Sequence, residues 1–334
     1  MSNAVLSIQK LEAGYGSKAV VRDFSLDVAA GEFVSLLGPS GSGKSSVLRA
    51  IAGFLPAMGG RILLEGRDIT GETPERRNVG IVFQNYALFP KMTAFENIAF
   101  ALRVAKRPQA EVEKRVRDMA TLSGIDEQLT RNPAEMSGGQ QQRVAIARAL
   151  VTGSRVLLFD EPLSNLDAKV RVTMRREIKR MQREVGFTAI FVTHDQEDAL
   201  TMSDRIVVLN GGRAEQIGHG RTLYRQPATP FICQFIGASN ELSPPVARRL
   251  LGAKGEGRSF VRLEDVLIAE NGGGGARATV SHIEFLGSHS RVYMIVEGDT
   301  ISAMLLGDDL PDVGSEVWVS IRPGAVHVFG GTCL

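Results

Sequence analysis

The chain has 334 residues, 43% hydrophobic and 23% charged, a composition of globular type with room for two or three domains. Its 39 Lys and Arg against 37 Asp and Glu leave a net charge of +2, which removes any global electrostatic case for nucleic acid or an acidic membrane as partner. No run approaches the roughly 18 apolar residues that span a bilayer, the N-terminus carries no export signal, and Cys233 and Cys333 have no metal-ligand spacing, so a reducing, cytoplasmic location without structural zinc is expected.

From Val5 to about Pro230 short apolar runs alternate with stretches of helical period, the pattern of an α/β sheet. Strands are expected at Glu32 to Leu37, Val79 to Phe83, Val156 to Phe159, Ala189 to Thr193 and Ile206 to Leu209. A helix over Gln109 to Leu122 places Val112, Val116 and Met119 on one face and belongs to a helical subdomain inserted at about residues 88–152. A second helix, Ala168 to Val185, aligns Val170, Met174, Ile178, Met181 and Val185 over a core. After Gln226-Pro227 and Thr229-Pro230 helical periodicity fades, and a glycine turn at 272–275 separates short alternating segments. Residues 1–238 therefore read as an α/β domain and 239–334 as a small all-β domain, with strands at Ala278 to Phe285, Arg291 to Val296, Thr300 to Leu305 and Val317 to Arg322.

Gly38-Pro39-Ser40-Gly41-Ser42-Gly43-Lys44-Ser45 fills the whole G-x-x-x-x-G-K-S pattern between an expected strand and an expected helix, and Ser46 follows it. Glycines let the backbone wrap a polyphosphate, so that successive N–H groups and a helix N-terminus face its charge. Lys44 reaches the terminal phosphates and Ser45 offers a hydroxyl to Mg²⁺. The run RVLLFDEP, Arg155 to Pro162, delivers Asp160 and Glu161 to a strand end, the first suited to Mg²⁺ and the second to polarising an attacking water. His194 and Gln84 also end apolar runs; taken alone, each fits an ordinary polar residue as well as a contact to water, metal or γ-phosphate.

The run MSGGQQQR, Met136 to Arg143, carries a Ser-Gly-Gly-Gln stretch between the phosphate loop and the acidic strand. In this order the chain resembles the ATP-binding subunits of ABC transporters, and the likeness covers most of the first 235 residues. The resemblance implies an α/β P-loop ABC ATPase domain. It implies that Tyr15 stacks on adenine, residues 38–46 form the Walker A loop, and Gln84 is the Q-loop glutamine near Mg²⁺. Ser137, Gly138, Gly139 and Gln140 match the signature, Asp160 and Glu161 end Walker B, Asp167 closes the D-loop after Ser164-Asn165-Leu166, and His194 matches the switch histidine. It further implies a head-to-tail homodimer in which Lys44 of one copy and Ser137 of the other clamp one ATP. Met136 stands where Leu is common, a change that conserves volume.

The C-terminal part resembles the small OB-like domain called TOBE, with Arg262-Leu263-Glu264-Asp265-Val266 matching its Arg-Pro-Glu-Asp segment except for Leu263. TOBE domains accompany importer ATPases, which implies integral membrane permeases as partners, an external solute-binding protein acting indirectly, and a peripheral position on the cytoplasmic face of the cell membrane. Asn85 to Pro90 is similar to the importer Q-loop, which puts permease contact near Leu88 and Phe89, with core packing as the alternative for these apolar residues. Arg76 to Gln84 and Phe235 to Asn240 look most like spermidine/putrescine-type ATPases; ferric iron, phosphonate, sulfate and sugar importers share much of this sequence. A soluble ABC ATPase acting on DNA or ribosomes is the competing class. The single ATPase unit and the lack of a coiled-coil insert or basic excess speak against it, so no nucleic-acid partner is expected. A solute or signal sensor in residues 240–334 is a further alternative.

Overall fold

The computed structural model describes residues 4–252, 257–270 and 275–330; residues 272–274 of the expected glycine turn and Cys333 lie outside the described residues. The chain divides into two compact units, Met1–Gly220 and Arg221–Leu334.

In chain order the first unit contains β1 (Ala4–Tyr15), β2 (Lys18–Ala29), β3 (Phe33–Leu37), α1 (Lys44–Ala52), β4 (Ala57–Leu64), β5 (Arg67–Asp68), β6 (Val79–Val82), α2 (Ala94–Val104) and α3 (Gln109–Ser123). There follow α4 (Gly138–Leu150), β7 (Val156–Asp160), α5 (Ala168–Val185), β8 (Thr188–Thr193), α6 (Gln196–Met202), β9 (Arg205–Asn210) and β10 (Arg213–Gly218). The main sheet has the order β10-β9-β3-β8-β7-β6, parallel throughout except for β10. All five residues of β3 and all six of β8 are buried, which is why these strands read as continuous apolar runs rather than alternating ones.

A second, antiparallel sheet of order β2-β1-β4-β5 adds to the sequence expectation. Its long strands pair through several register shifts, and each shift breaks the simple alternation by which a strand is recognised. α1 sits between the two sheets: Val47, Leu48 and Ile51 pack with Leu6 and Ile8 on one side and with Val34 and Ile190 on the other. The opposite face of the main sheet is covered by α4 and α5, where Met174, Ile178 and Met181 meet Phe33, Phe159 and Phe191. Val185, expected on this face, is 44% exposed, because it is the last residue of α5 before the left-handed Gly186 turns the chain away. α2, α3 and part of α4 enclose a core of their own, built on Ile98, Val112, Val116 and Val144, and Met136 is buried in it.

The second unit contains all of α7 (Gly220–Arg225) but its first residue, then α8 (Pro230–Phe235), β11 (Ser239–Leu242), α9 (Pro244–Leu251), β12 (Arg258–Arg262) and β13 (Val266–Ala269). It continues with β14 (Ala276–Phe285), β15 (Ser290–Val296), β16 (Asp299–Leu305), β17 (Glu316–Ile321) and β18 (Val326–Phe329). The strands form antiparallel sheets of order β11-β12-β18 and β13-β17-β14-β15-β16 around one apolar core. Helix α9 departs from the all-β expectation; at eight residues it offers barely two turns of periodicity. Leu263 opens a 3₁₀ turn and is buried, so the turn forms without a proline. Arg262 beside it is fully buried; its guanidinium donates to the carbonyls of Cys233, Gly237 and Tyr224 and lies 4.2 Å from the centre of the Tyr224 ring.

The first unit uses a similar device at the C-terminus of α1. Arg77, 2% exposed, donates to the carbonyls of Ala50 and Ile51 at 2.6 and 2.9 Å and to those of Glu72 and Thr70. Carbonyls in the last turn of a helix have no partner within it, and burial without one is costly. Gly53 leaves the room: a Cβ there would lie 2.7 Å from Arg77 Nε. Arg77→Met, which keeps the stem and removes the donors, is expected to cost about 2–4 kcal/mol of stability. Urea unfolding checks this, since a midpoint shift well below that size would mean that water replaces the guanidinium without loss.

Candidate active site

Strand register assembles the site. Leu37 at the end of β3 pairs with Thr193 of β8, and Asp160 at the end of β7 pairs with Val192, so neighbouring strands release Gly38, Glu161 and His194 along one rim. The carboxyl end of a parallel sheet is where α/β folds bind ligands.

At Gly38 the chain leaves β3 so close to its neighbours that a Cβ would lie 2.3 Å from the Leu209 carbonyl oxygen. Gly41 and Gly43 adopt φ values of 77° and 100°, and the loop runs into α1 with Gly43 as N-cap and no side chain bonded to the first helical amides. Those amides and the partial positive charge of the helix end are directed at whatever the loop encloses. Pro39, Ser40 and Gly41 are exposed, whereas Ser42, Lys44 and Ser46 are buried. A cavity of about 230 Å³ is lined by Ser40, Gly41, Gly43, Lys44, Ser45 and Glu161 among others. Lys44 Nζ donates to the carbonyl oxygens of Gly38 and Pro39 at 2.8 and 2.9 Å. Burial lowers its pKa, and the nearby Glu161 and Asp160 oppose that shift.

Ser45 Oγ donates to Asp160 Oδ1 at 2.9 Å. Two hard oxygen donors side by side suit Mg²⁺, which takes few protein ligands and keeps several waters. Glu161 follows in the left-handed region, with φ of 48°, and its carboxylate Oε2 lies 3.2 Å from His194 Nδ1. An imidazole and a buried ammonium thus both neighbour the Glu161 carboxylate beside the loop amides, an arrangement able to orient a water against a polyphosphate.

Gln84 reaches this cluster indirectly. Its Nε2 donates to Ser164 Oγ at 3.2 Å, Ser164 Oγ donates to the Glu161 carbonyl at 2.9 Å, and Asn165 Nδ2 donates to the Gln84 carbonyl at 3.0 Å. Tyr15, 55% exposed, accepts from Arg49 at 3.4 Å, and Arg49 also lies 3.8 Å from Asp160. Arg49 was not singled out from sequence, where an arginine within a helix carries no distinguishing signal. Ser164 and Asn165 were noted as part of a motif but without roles; only folding brings them to Gln84.

The other expected ligand residues lie apart. Ser137 caps α4, accepting from Gln140 N while Gln140 Oε1 accepts from Ser137 N, a reciprocal capping box. Ser137 is exposed, and with Gly139, Gln140, Arg143 and Lys169 it lines a separate cavity of about 370 Å³ that shares no residue with the one at the phosphate loop. Gly138 is packed by Leu166 and Gly139 by Val170, each so closely that a Cβ would lie 3.2 and 3.4 Å from them. The Asp167 carboxylate caps α5 by accepting from Val170 N at 2.9 Å.

Residues 21–164 match the ABC transporter family and residues 260–329 the TOBE domain. An uncharacterized ABC transporter ATP-binding protein of Sinorhizobium fredii is 72% identical over 98% of this chain and 96% of its own length. An sn-glycerol-3-phosphate import ATP-binding protein of Rhizobium meliloti is 41% identical over 98% of each chain. A spermidine/putrescine import ATP-binding protein of Acidothermus cellulolyticus is 55% identical over 70% of this chain and 61% of its own. Among solved structures, a dimeric ATP-binding cassette in a post-hydrolysis state with ADP and Pi is similar at a TM-score of 0.57 and 30% identity, covering 64% of this chain and 98% of that one. Similarity of this extent to a relative of matching length, over a fold that assembles the phosphate loop and the acidic strand end, makes the chain a member of the ABC transporter ATP-binding family and an ATPase.

Proposed function

We propose that this ATPase energises solute import from the cytoplasmic face of the cell membrane, as a homodimer bound to integral permease subunits that receive solute from an external binding protein. The observation that carries the reading is the C-terminal TOBE match together with full-length similarity to an import ATP-binding protein. Among the described residues no helix is long and apolar enough to cross a membrane, so the path for solute belongs to partners.

In the proposed reaction, loop amides and Lys44 hold the β- and γ-phosphates of ATP, and Tyr15 packs on the adenine. Ser45 and Asp160, with Gln84 reaching the same rim through Ser164, would hold Mg²⁺, which would supply charge neutralisation for the phosphates. Glu161 polarises the attacking water, and His194, bonded to its carboxylate, keeps that carboxylate and the γ-phosphate aligned. Two copies in head-to-tail contact complete each site, the exposed Ser137 and the amides of Gly138, Gly139 and Gln140 at the N-terminus of α4 facing the γ-phosphate held by the other copy, with Asp167 near the junction. Support comes from the exposure of that helix end and from the dimeric state of the similar solved cassette.

For the solute, identity favours a polyamine of the spermidine/putrescine type, at 55% against 41% for the glycerol-phosphate relative. Coverage favours the second reading, sn-glycerol 3-phosphate, because that relative matches 98% of the chain and the polyamine relative 70%. Co-purification of the native complex from membranes, with ATPase assayed against each solute and the recovered binding protein, distinguishes them. Stimulation by spermidine supports the first reading, stimulation by glycerol 3-phosphate the second, and recovery without any permease removes the importer.

Glu161→Gln is expected to retain ATP binding, stabilise the ATP-bound dimer and lower turnover by about 100-fold or more; unchanged hydrolysis removes Glu161 from its role. Because burial lowers the Lys44 pKa, ATP affinity is expected to fall on raising pH earlier than an ordinary lysine would give, the charged form binding phosphate being the one lost. Lys44→Arg, charged throughout, flattens that limb in an affinity titration. Leu88 is half-buried against two apolar clusters, whereas Phe89 is 37% exposed, so Phe89 is the better probe of permease contact. Phe89→Ser is expected to spare the isolated ATPase and reduce transport by reconstituted complex several-fold; equal transport rates would remove this contact.

A further inference from the structure

The segment between Gln84 and Phe89 is strained and held from an unexpected place. Tyr86 and Ala87 have φ of 62° and 46°, and Ala87 N donates back to the Asn85 carbonyl at 2.7 Å in a tight turn. Two consecutive residues with a Cβ in the left-handed region are disfavoured unless their surroundings enforce it. The enforcing group is Arg148, in the last turn of α4. Its Nη1 donates to the Ala87 carbonyl at 2.7 Å and its Nη2 to the Tyr86 carbonyl at 2.8 Å, one fork across both strained residues. These two carbonyls are its hydrogen-bond partners, its guanidinium lies 5.8 Å from the centre of the Phe89 ring, and burial lowers its pKa.

The segment is anchored on both sides of this fork. Upstream, Gln84 bonds Ser164 and Asn165, and Ser164 bonds the Glu161 carbonyl. Downstream, buried Asn97 of α2 holds the Phe89 backbone, accepting from Phe89 N and donating to the Phe89 carbonyl. α4 carries Ser137 at its first turn and Arg148 at its last, so one rigid helix joins the signature to this turn.

We propose that Arg148 is a positioning residue for ATP hydrolysis: its guanidinium holds Tyr86 and Ala87 in the left-handed backbone and thereby keeps Gln84 against the Ser164–Glu161 turn. The inference rests on the reading of Glu161 and Gln84 given above. Arg148 does not touch the nucleotide cavity. Its loss therefore acts on turnover and not on ATP binding.

The test is steady-state ATPase kinetics on the full chain. Arg148→Lys keeps the charge but not the fork, and is expected to lower kcat about tenfold with the KM for ATP within about twofold. Ala87→Gly placed in that background removes the strain the fork opposes and is expected to restore most of kcat. Ala87 is exposed, and a β-branched residue resists the left-handed region, so with Arg148 intact Ala87→Val is expected to reproduce the loss of kcat. Ala87→Val keeps the proposal testable if Arg148→Lys fails to fold. Unchanged kcat in Ala87→Val, a raised KM in Arg148→Lys, or a loss that Ala87→Gly does not relieve overturns the proposal. Glu161→Gln measured alongside separates the two readings: retained turnover there refutes the site, whereas normal turnover in Arg148→Lys beside an inactive Glu161→Gln refutes the fork alone.

Discussion

The alignment of parallel strands on β3 is the constraint from which the site follows. β3 is buried along its whole length and pairs with β8 and β9, so neither its register nor its facing can slip without exposing an apolar strand. Once Leu37 is opposite Thr193 and Asp160 opposite Val192, the phosphate loop, the two acids and the histidine have no freedom to separate. The antiparallel sheet and α1 complete that constraint by packing the phosphate-loop helix between two sheets.

Buried or half-buried arginines that bond carbonyls recur where the chain changes direction. Arg77 closes the end of α1, Arg148 closes the turn after Gln84, and Arg262 joins the carbonyls of Cys233 and Gly237 to Tyr224 within the second unit. A guanidinium presents five donors in a planar fork, which lets one side chain satisfy several backbone acceptors that would otherwise be buried without partners. Ion pairs play the comparable part around α6, where Arg175 bonds Asp198 and pairs with Glu197.

Much of the catalytic half was legible in sequence because its signals are local. The strands expected at 79–83, 156–159 and 189–193 agree with β6, β7 and β8 to within a residue or so, and the helix at 168–185 matches α5. Those elements are bounded by sharp chemistry: glycines, an Asp cap, paired acids. The antiparallel sheet was less legible, since bulges in β1 break its alternation, and α9 was too short to show a period. Contacts across distant sequence were invisible for a plainer reason. Nothing near Arg148 announces that its fork meets Tyr86 and Ala87, and nothing near Gln84 announces Ser164. The sequence does not distinguish Leu88 from Phe89 as an expected permease contact, whereas burial separates the two.

The left-handed backbone at Glu161 limits which residues the position can hold. Its φ of 48° is reached just as the chain leaves β7, with Glu161 N donating to the Val192 carbonyl at 3.2 Å. Threonine, valine and isoleucine resist that conformation through their branched Cβ, while glycine, asparagine and aspartate accept it readily. A glutamate here is held against a mild conformational preference for shorter residues. Among substitutions, glutamine alone preserves both the reach of the side chain and the conformational demand. Diversity at this position in any mutant library should therefore be narrowed twice, once by the backbone and once by the chemistry.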